Sequence, residues 1–184
     1  MDLPTFVSYL ATYYDLYWTL DAGQRAMVKR LTPASFDGDA GSWGLALAGV
    51  YEVEGDRRRA TAYGDSARVA FEQQLYAAPD NPQLRVLLGV ALAYAGRKEA
   101  AAREGERGVA ADSSQSQNAM YYRHQLVRIH MLNGEQDKAL DVLEPLLRGP
   151  YYLSPAWLRV DPTFDPLRNN PRFKKLVEGA AGND

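Results

Sequence analysis

Three ten-residue stretches share one spacing: YEVEGDRRRA (51–60), LAYAGRKEAA (92–101) and HMLNGEQDKA (130–139). Each places a glycine four positions after its first residue and an alanine five positions after that glycine. The glycines are Gly55, Gly96 and Gly134, and the alanines are Ala60, Ala101 and Ala139. Both sets recur at intervals of 41 and 38 residues. A recurrence at about this interval is the signature of stacked supersecondary units, so it constrains the fold more than any other feature. Glycine just past a helix end takes the left-handed conformation that a Cβ resists, and alanine lets the returning helix approach closely.

Apolar spacing around each glycine agrees. Leu84, Leu87, Leu88, Ala91, Leu92 and Ala95 recur at helical intervals before Gly96. Ala60, Tyr63, Ala67, Ala70 and Phe71 do so after Gly55, as do Ala139, Val142, Leu143, Leu146 and Leu147 after Gly134. Turn-forming stretches APDNP (78–82) and ADSSQSQN (111–118) separate the units. No segment alternates polar and apolar residues for long, so an all-α fold is predicted. The small residues of LLGVALAYAGRKEAAAREG (87–105) predict a place where helices pack tightly.

The pattern resembles the tetratricopeptide repeat, a helix–turn–helix unit, over residues 40–148. The second unit carries Leu88, Gly89, Gly96 and Ala101; the first carries Leu47, Ala48, Tyr51, Gly55, Ala60 and Ala67. The third departs most, with His130 at the aromatic position and Val127 where a small residue is usual. The resemblance implies a tetratricopeptide-like α-solenoid of stacked antiparallel helical hairpins. Its first helices would line a concave groove that takes a peptide or a partner helix.

Residues 1–184 read as a single domain in three parts. Residues 1–38 form a divergent N-terminal hairpin. Its first helix carries the stripe Phe6, Tyr9, Leu10, Tyr13, Tyr17 and Leu20, and Asp21 with Gln24 makes a capping box for the second. The aromatic load of Tyr13, Tyr14, Tyr17 and Trp18 is expected to seal the array end; the alternative is a homodimer interface. Residues 40–148 hold the three repeats, and 149–184 a proline-rich capping segment of short helices. There Ser154, Asp161, Asp165 and Asn170 each precede a proline, a helix-start arrangement. A last helix is expected from Pro171 to about Val177. Trp157, Leu158, Phe164, Leu167, Phe173 and Leu176 should cover the last repeat. The phrases PYYLSP, WLRVDPTFDPLR and NPRFKKLV resemble the ends of tetratricopeptide arrays in large bacterial signalling proteins of the serine/threonine-kinase or transcriptional-regulator type. That resemblance implies a regulatory interaction module.

Little in the chain points to chemistry. It has no cysteine, which excludes thiolate catalysis and disulfides. A net charge of −2 argues against nucleic acid as partner. No apolar run approaches the roughly 20 residues that span a bilayer, and MDLPTF does not read as a secretory leader, so a cytoplasmic protein with no membrane partner is expected. Kinase and cofactor signatures are absent, and no enzymatic activity, cofactor or metal is expected; a small-molecule sensor or an enzyme with a groove-borne site is the remaining alternative. His124 and His130 lie six apart, unlike the i, i+4 pair that grips a metal. His130 is expected in the core and His124 on the inner side. In DRRRA (56–60), Asp56 caps a helix and the arginines read as solvated. By family position the concave, partner-binding face takes Glu52 and Val53 from the first unit, Val90 and Tyr94 from the second, and Tyr121, His124 and Arg128 from the third. Chaperone-binding relatives clamp a terminal carboxylate with lysines and asparagines. The matching places here hold Val86, Val90, His124 and Arg128, so that activity is not implied.

Overall fold

A computed structural model describes residues 2–12, 15–114 and 116–178 of the chain. Those residues form helices and no strand. In chain order the α-helices are α1 (Leu3–Thr12), α2 (Ala22–Val28), α3 (Ala40–Val53), α4 (Arg57–Ala77), α5 (Pro82–Tyr94), α6 (Lys98–Ala110), α7 (Gln117–Asn133), α8 (Gln136–Leu146), α9 (Pro155–Val160) and α10 (Pro171–Glu178). Short 3-10 turns fill in at 17–19, 33–36 and 162–167.

The three repeat glycines make the turns joining α3 to α4, α5 to α6 and α7 to α8, each left-handed with φ of 75–77°. Nothing lies within 4 Å of where their Cβ atoms would be, so backbone conformation alone demands glycine there. The helices of each pair run antiparallel: Gly44 of α3 faces Ala67 of α4, and Gly41 faces Phe71 further along. Each pair also packs on the next, α4 on α5 and both α5 and α6 on α7. The long repeat period arises in α4, 21 residues, and α7, 17 residues.

The glycine- and alanine-rich stretch serves that packing. A Cβ on Gly89 would come within 3.0 Å of the Ala101 carbonyl oxygen and 3.1 Å of the Gly105 nitrogen, so α5 and α6 touch backbone to backbone. Ile129 of α7 enters the notch both glycines leave. Small residues thus let three helices meet around one branched side chain.

Buried apolar side chains fall into three clusters. The central one joins α3 to α7. The C-terminal one sets Leu158, Phe164, Leu167 and Phe173 on Leu140, Leu143 and Leu146 of α8, as the sequence predicts. Ser154, Asp161 and Asn170 accept backbone N–H groups from Trp157, Thr163 and Arg172. Asp165 departs from the expectation: Pro166 lies inside the 3-10 stretch, and Asp165 pairs with Arg168 instead of starting a helix.

The N-terminal part also differs. Asp21 and Gln24 form the expected capping box of α2. The first helix, however, stops at Thr12, short of Leu20, and Asp15 sits in the left-handed region with φ 53°. Its buried face is Val7, Ser8 and Ala11, while Phe6 and Tyr9 are exposed. Tyr17 is therefore not on a stripe shared with Phe6. It belongs to a separate strap, residues 15–20, whose tyrosine and Leu20 are buried against α3. Tyr13 and Tyr14 lie outside the described residues.

Candidate interaction site on the first-helix face

The strap crosses the face made by the first helix of each pair, α3, α5 and α7. Asp15 reaches α7, where its carboxylate lies 2.6 Å from Nη1 of Arg128 and accepts from Nε2 of Gln125, also at 2.6 Å. Arg128 in turn donates to Oε1 of Gln125 at 2.8 Å. Two residues on, the Tyr17 ring lies over Gly49 of α3, where a Cβ would stand 2.9 Å from the ring carbons. The Arg128 guanidinium sits 5.6 Å from the centre of the same ring, within cation–π range. Longer contacts of 3.4 Å bring Arg128 Nη2 and the Tyr94 hydroxyl to the Tyr17 hydroxyl.

The repeat register explains the seat. Gly49, Val90 and Arg128 are each six residues before their turn glycine, one row across three helices. The row's outer members hold Tyr17 from two sides, and Val90 is buried between them.

Burial opposes the charge of Arg128, which is only 6% exposed. The Asp15 carboxylate together with the hydroxyls of Tyr17, Tyr94 and Tyr121 outweighs that effect, so the guanidinium stays charged. Burial also pushes the Tyr94 and Tyr121 phenols well above their usual range, keeping both as neutral hydroxyls. The Asp15–Arg128 pair is costly to break from the Asp15 side, because that strands the buried guanidinium.

Beside the strap a cleft of about 630 Å³ opens between α1 and the first-helix face. One wall carries Ser42, Gln83 and Tyr121, each thirteen residues before its turn glycine. The opposite wall carries Ser8 and Thr12 of α1, and Asp15, Tyr17 and Arg128 also line the space. The ionic pair is thus reachable from the cleft.

The C-terminal segment covers the other flank. His124 Nδ1 lies 3.0 Å from the Tyr152 hydroxyl and 3.3 Å from that of Tyr151. Burial pushes this histidine down to about 4, so it is neutral near pH 7. Trp18 meets Trp157 edge-on at 6.2 Å, which brings the two ends of the chain together.

Of the residues predicted for the partner-binding face, Tyr121 and Arg128 line the cleft. Val90, Tyr94 and His124 lie on the same face but are buried. Glu52 and Val53 are exposed on the last turn of α3 and do not line the cleft. His130 is buried and pairs with Glu135 at 2.8 Å. Asp15, Tyr17 and Gly49 were not predicted. Their signal was the row itself, in which a glycine and an arginine occupy register positions otherwise suited to apolar packing. Among the described residues no helix is long and apolar enough to cross a membrane, and no cluster of three or more histidines or carboxylates could hold a metal. Compared with protein-family models, curated proteins and solved structures, the chain matches none of them.

Proposed function

We propose that the chain is a tetratricopeptide-like interaction module, a solenoid of stacked helical hairpins whose inner, first-helix face takes a protein or peptide partner. It acts without catalysis, as a regulatory part of a larger signalling protein. One observation carries this reading: three repeat-equivalent positions, Ser42, Gln83 and Tyr121, form one wall of a single cleft. A cleft repeated in register suits an extended segment that presents side chains at intervals. Tyrosine and arginine at its floor are residue types enriched where binding energy concentrates.

Selection of peptides from a random display library against the full chain tests the reading. Selected peptides should bind saturably and lose binding in Gln83→Trp, which fills the cleft from an exposed position, and in Tyr121→Ala. The unfolding midpoint should hardly change in Gln83→Trp. Peptides insensitive to both substitutions, or no binders at all, contradict the reading.

Self-association is the second reading, and the exposure of Leu3 and Phe6 on α1 favours it. Sedimentation at micromolar concentration should then show a dimer that Phe6→Glu dissociates. A wild-type monomer contradicts it.

A further inference from the structure

The strap is attached to the first-helix face by side chains that another chain could supply. We propose that Asp15–Trp18 is an internal stand-in for the partner. The partner is then a protein segment offering a carboxylate to Arg128 and, two residues later, an aromatic ring to Gly49. This rests on the reading of that face as a protein-binding surface.

Three observations converge. Among the described residues Arg128 forms an ion pair with Asp15 and with no other carboxylate, although it is buried at the centre of α7. The folded body therefore carries a cation that needs a carboxylate from outside the repeats. Second, backbone N–H groups of the strap bond within the N-terminal part: Leu16 donates to the Leu10 carbonyl, Thr19 to Leu16 and Leu20 to Tyr17. Its hold on α5 and α7 is through the side chains of Asp15 and Tyr17. Third, Asp15, Tyr17 and Arg128 all line the cleft, so a competing segment has a path to the pair.

Exchange keeps the charges balanced. An incoming carboxylate takes Asp15's place on Arg128 and Gln125 while Asp15 moves into water, and an incoming ring replaces Tyr17 over Gly49. Neither state leaves a buried charge unpaired, which is the arrangement two competing occupants require.

The test uses a fluorescent peptide copying residues 15–21, Asp-Leu-Tyr-Trp-Thr-Leu-Asp, and the full chain with Asp15→Ala and Tyr17→Ala. The opened variant should bind it saturably, at least tenfold tighter than wild type, because the occupied state lowers the apparent affinity of wild type. Asn in place of the first Asp of the peptide, or Arg128→Gln added to the variant, should each weaken binding at least tenfold. A folded variant that does not bind, or that binds no tighter than wild type, overturns the proposal. Should the opened variant fail to fold, hydrogen exchange of wild type decides. The amides of Leu16, Thr19 and Leu20 should exchange at least a hundredfold faster than those of Leu126 and Ile129; equal protection overturns the proposal. The two readings fail differently. If displayed peptides bind the wild-type cleft while the Asp-x-Tyr peptide ignores the opened variant, only the stand-in fails. If no peptide binds either form, both fail.

Discussion

The same helices are held together in two unlike ways. Where α5, α6 and α7 meet, contact is dry and close, with Gly89 against the Ala101 and Gly105 backbones and Ile129 wedged between. On the first-helix face the joint is polar, made by Asp15, Gln125, Arg128 and Tyr17 across more than a hundred residues of sequence. The first joint is shape: nothing outside the chain can substitute for a missing Cβ. The second is chemistry: any carboxylate and ring in the right order satisfies it. A dry contact suits permanent architecture, and a charged contact at the floor of a cleft suits exchange.

The largest effect separating the two should come from the polar joint. Asp15→Ala strands the buried Arg128 guanidinium and is expected to cost about 3–5 kcal/mol in urea unfolding. A loss below about 1 kcal/mol would mean that the pair is solvated and structurally idle. Next is acid. His124 sits at about 4 when folded against about 6.5 in a free chain. Its contribution is therefore complete above pH 6.5 and lost as pH falls toward 4. The loss is about 3 kcal/mol at about 1.4 kcal/mol per pH unit. His124→Gln should flatten stability between pH 6.5 and 4, and an unchanged slope would contradict the assignment. Glu135, pulled down to about 2 mainly by Lys138, loses its contribution only below about pH 4.5, so the two windows are separable.

The dry joint was the more legible in sequence. Gly55, Gly96 and Gly134 announce turns because a left-handed backbone leaves few alternatives, and Gly89 with Ala101 announces close approach. Caps at Asp56, Ser154 and Asp161 follow from local geometry. The strap was not legible. A period of 3.6 residues links Phe6 to Tyr17 on paper, whereas the helix carrying Phe6 spans Leu3–Thr12 and Tyr17 opens a separate 3-10 turn after the left-handed Asp15. Of the residues expected on the inner face, Val90, Tyr94, His124 and Arg128 are buried, whereas Glu52 and Val53 are exposed. What covers that face arrives from residues 15–20 and 151–157, through contacts that no local pattern encodes.

Smaller substitutions sharpen the contrast. Gly89→Val should cost about 1–3 kcal/mol by pushing α5 from α6, while leaving the Asp15–Arg128 coupling intact. Loss of that coupling would show the two joints to be one. Gly96→Ala, with open space around the new methyl, should cost only the left-handed strain of about 1 kcal/mol. A larger loss would reveal a packing role at that turn.

The strap's position across the first-helix face is tested most directly by a double-mutant cycle on Asp15→Ala and Arg128→Ala, read by urea unfolding at pH 7. The geometry predicts a coupling of about 2 kcal/mol or more between residues 113 positions apart, since their charged atoms lie 2.6 Å from each other. Additivity within about 0.5 kcal/mol would place the N-terminal strap elsewhere and contradict the account.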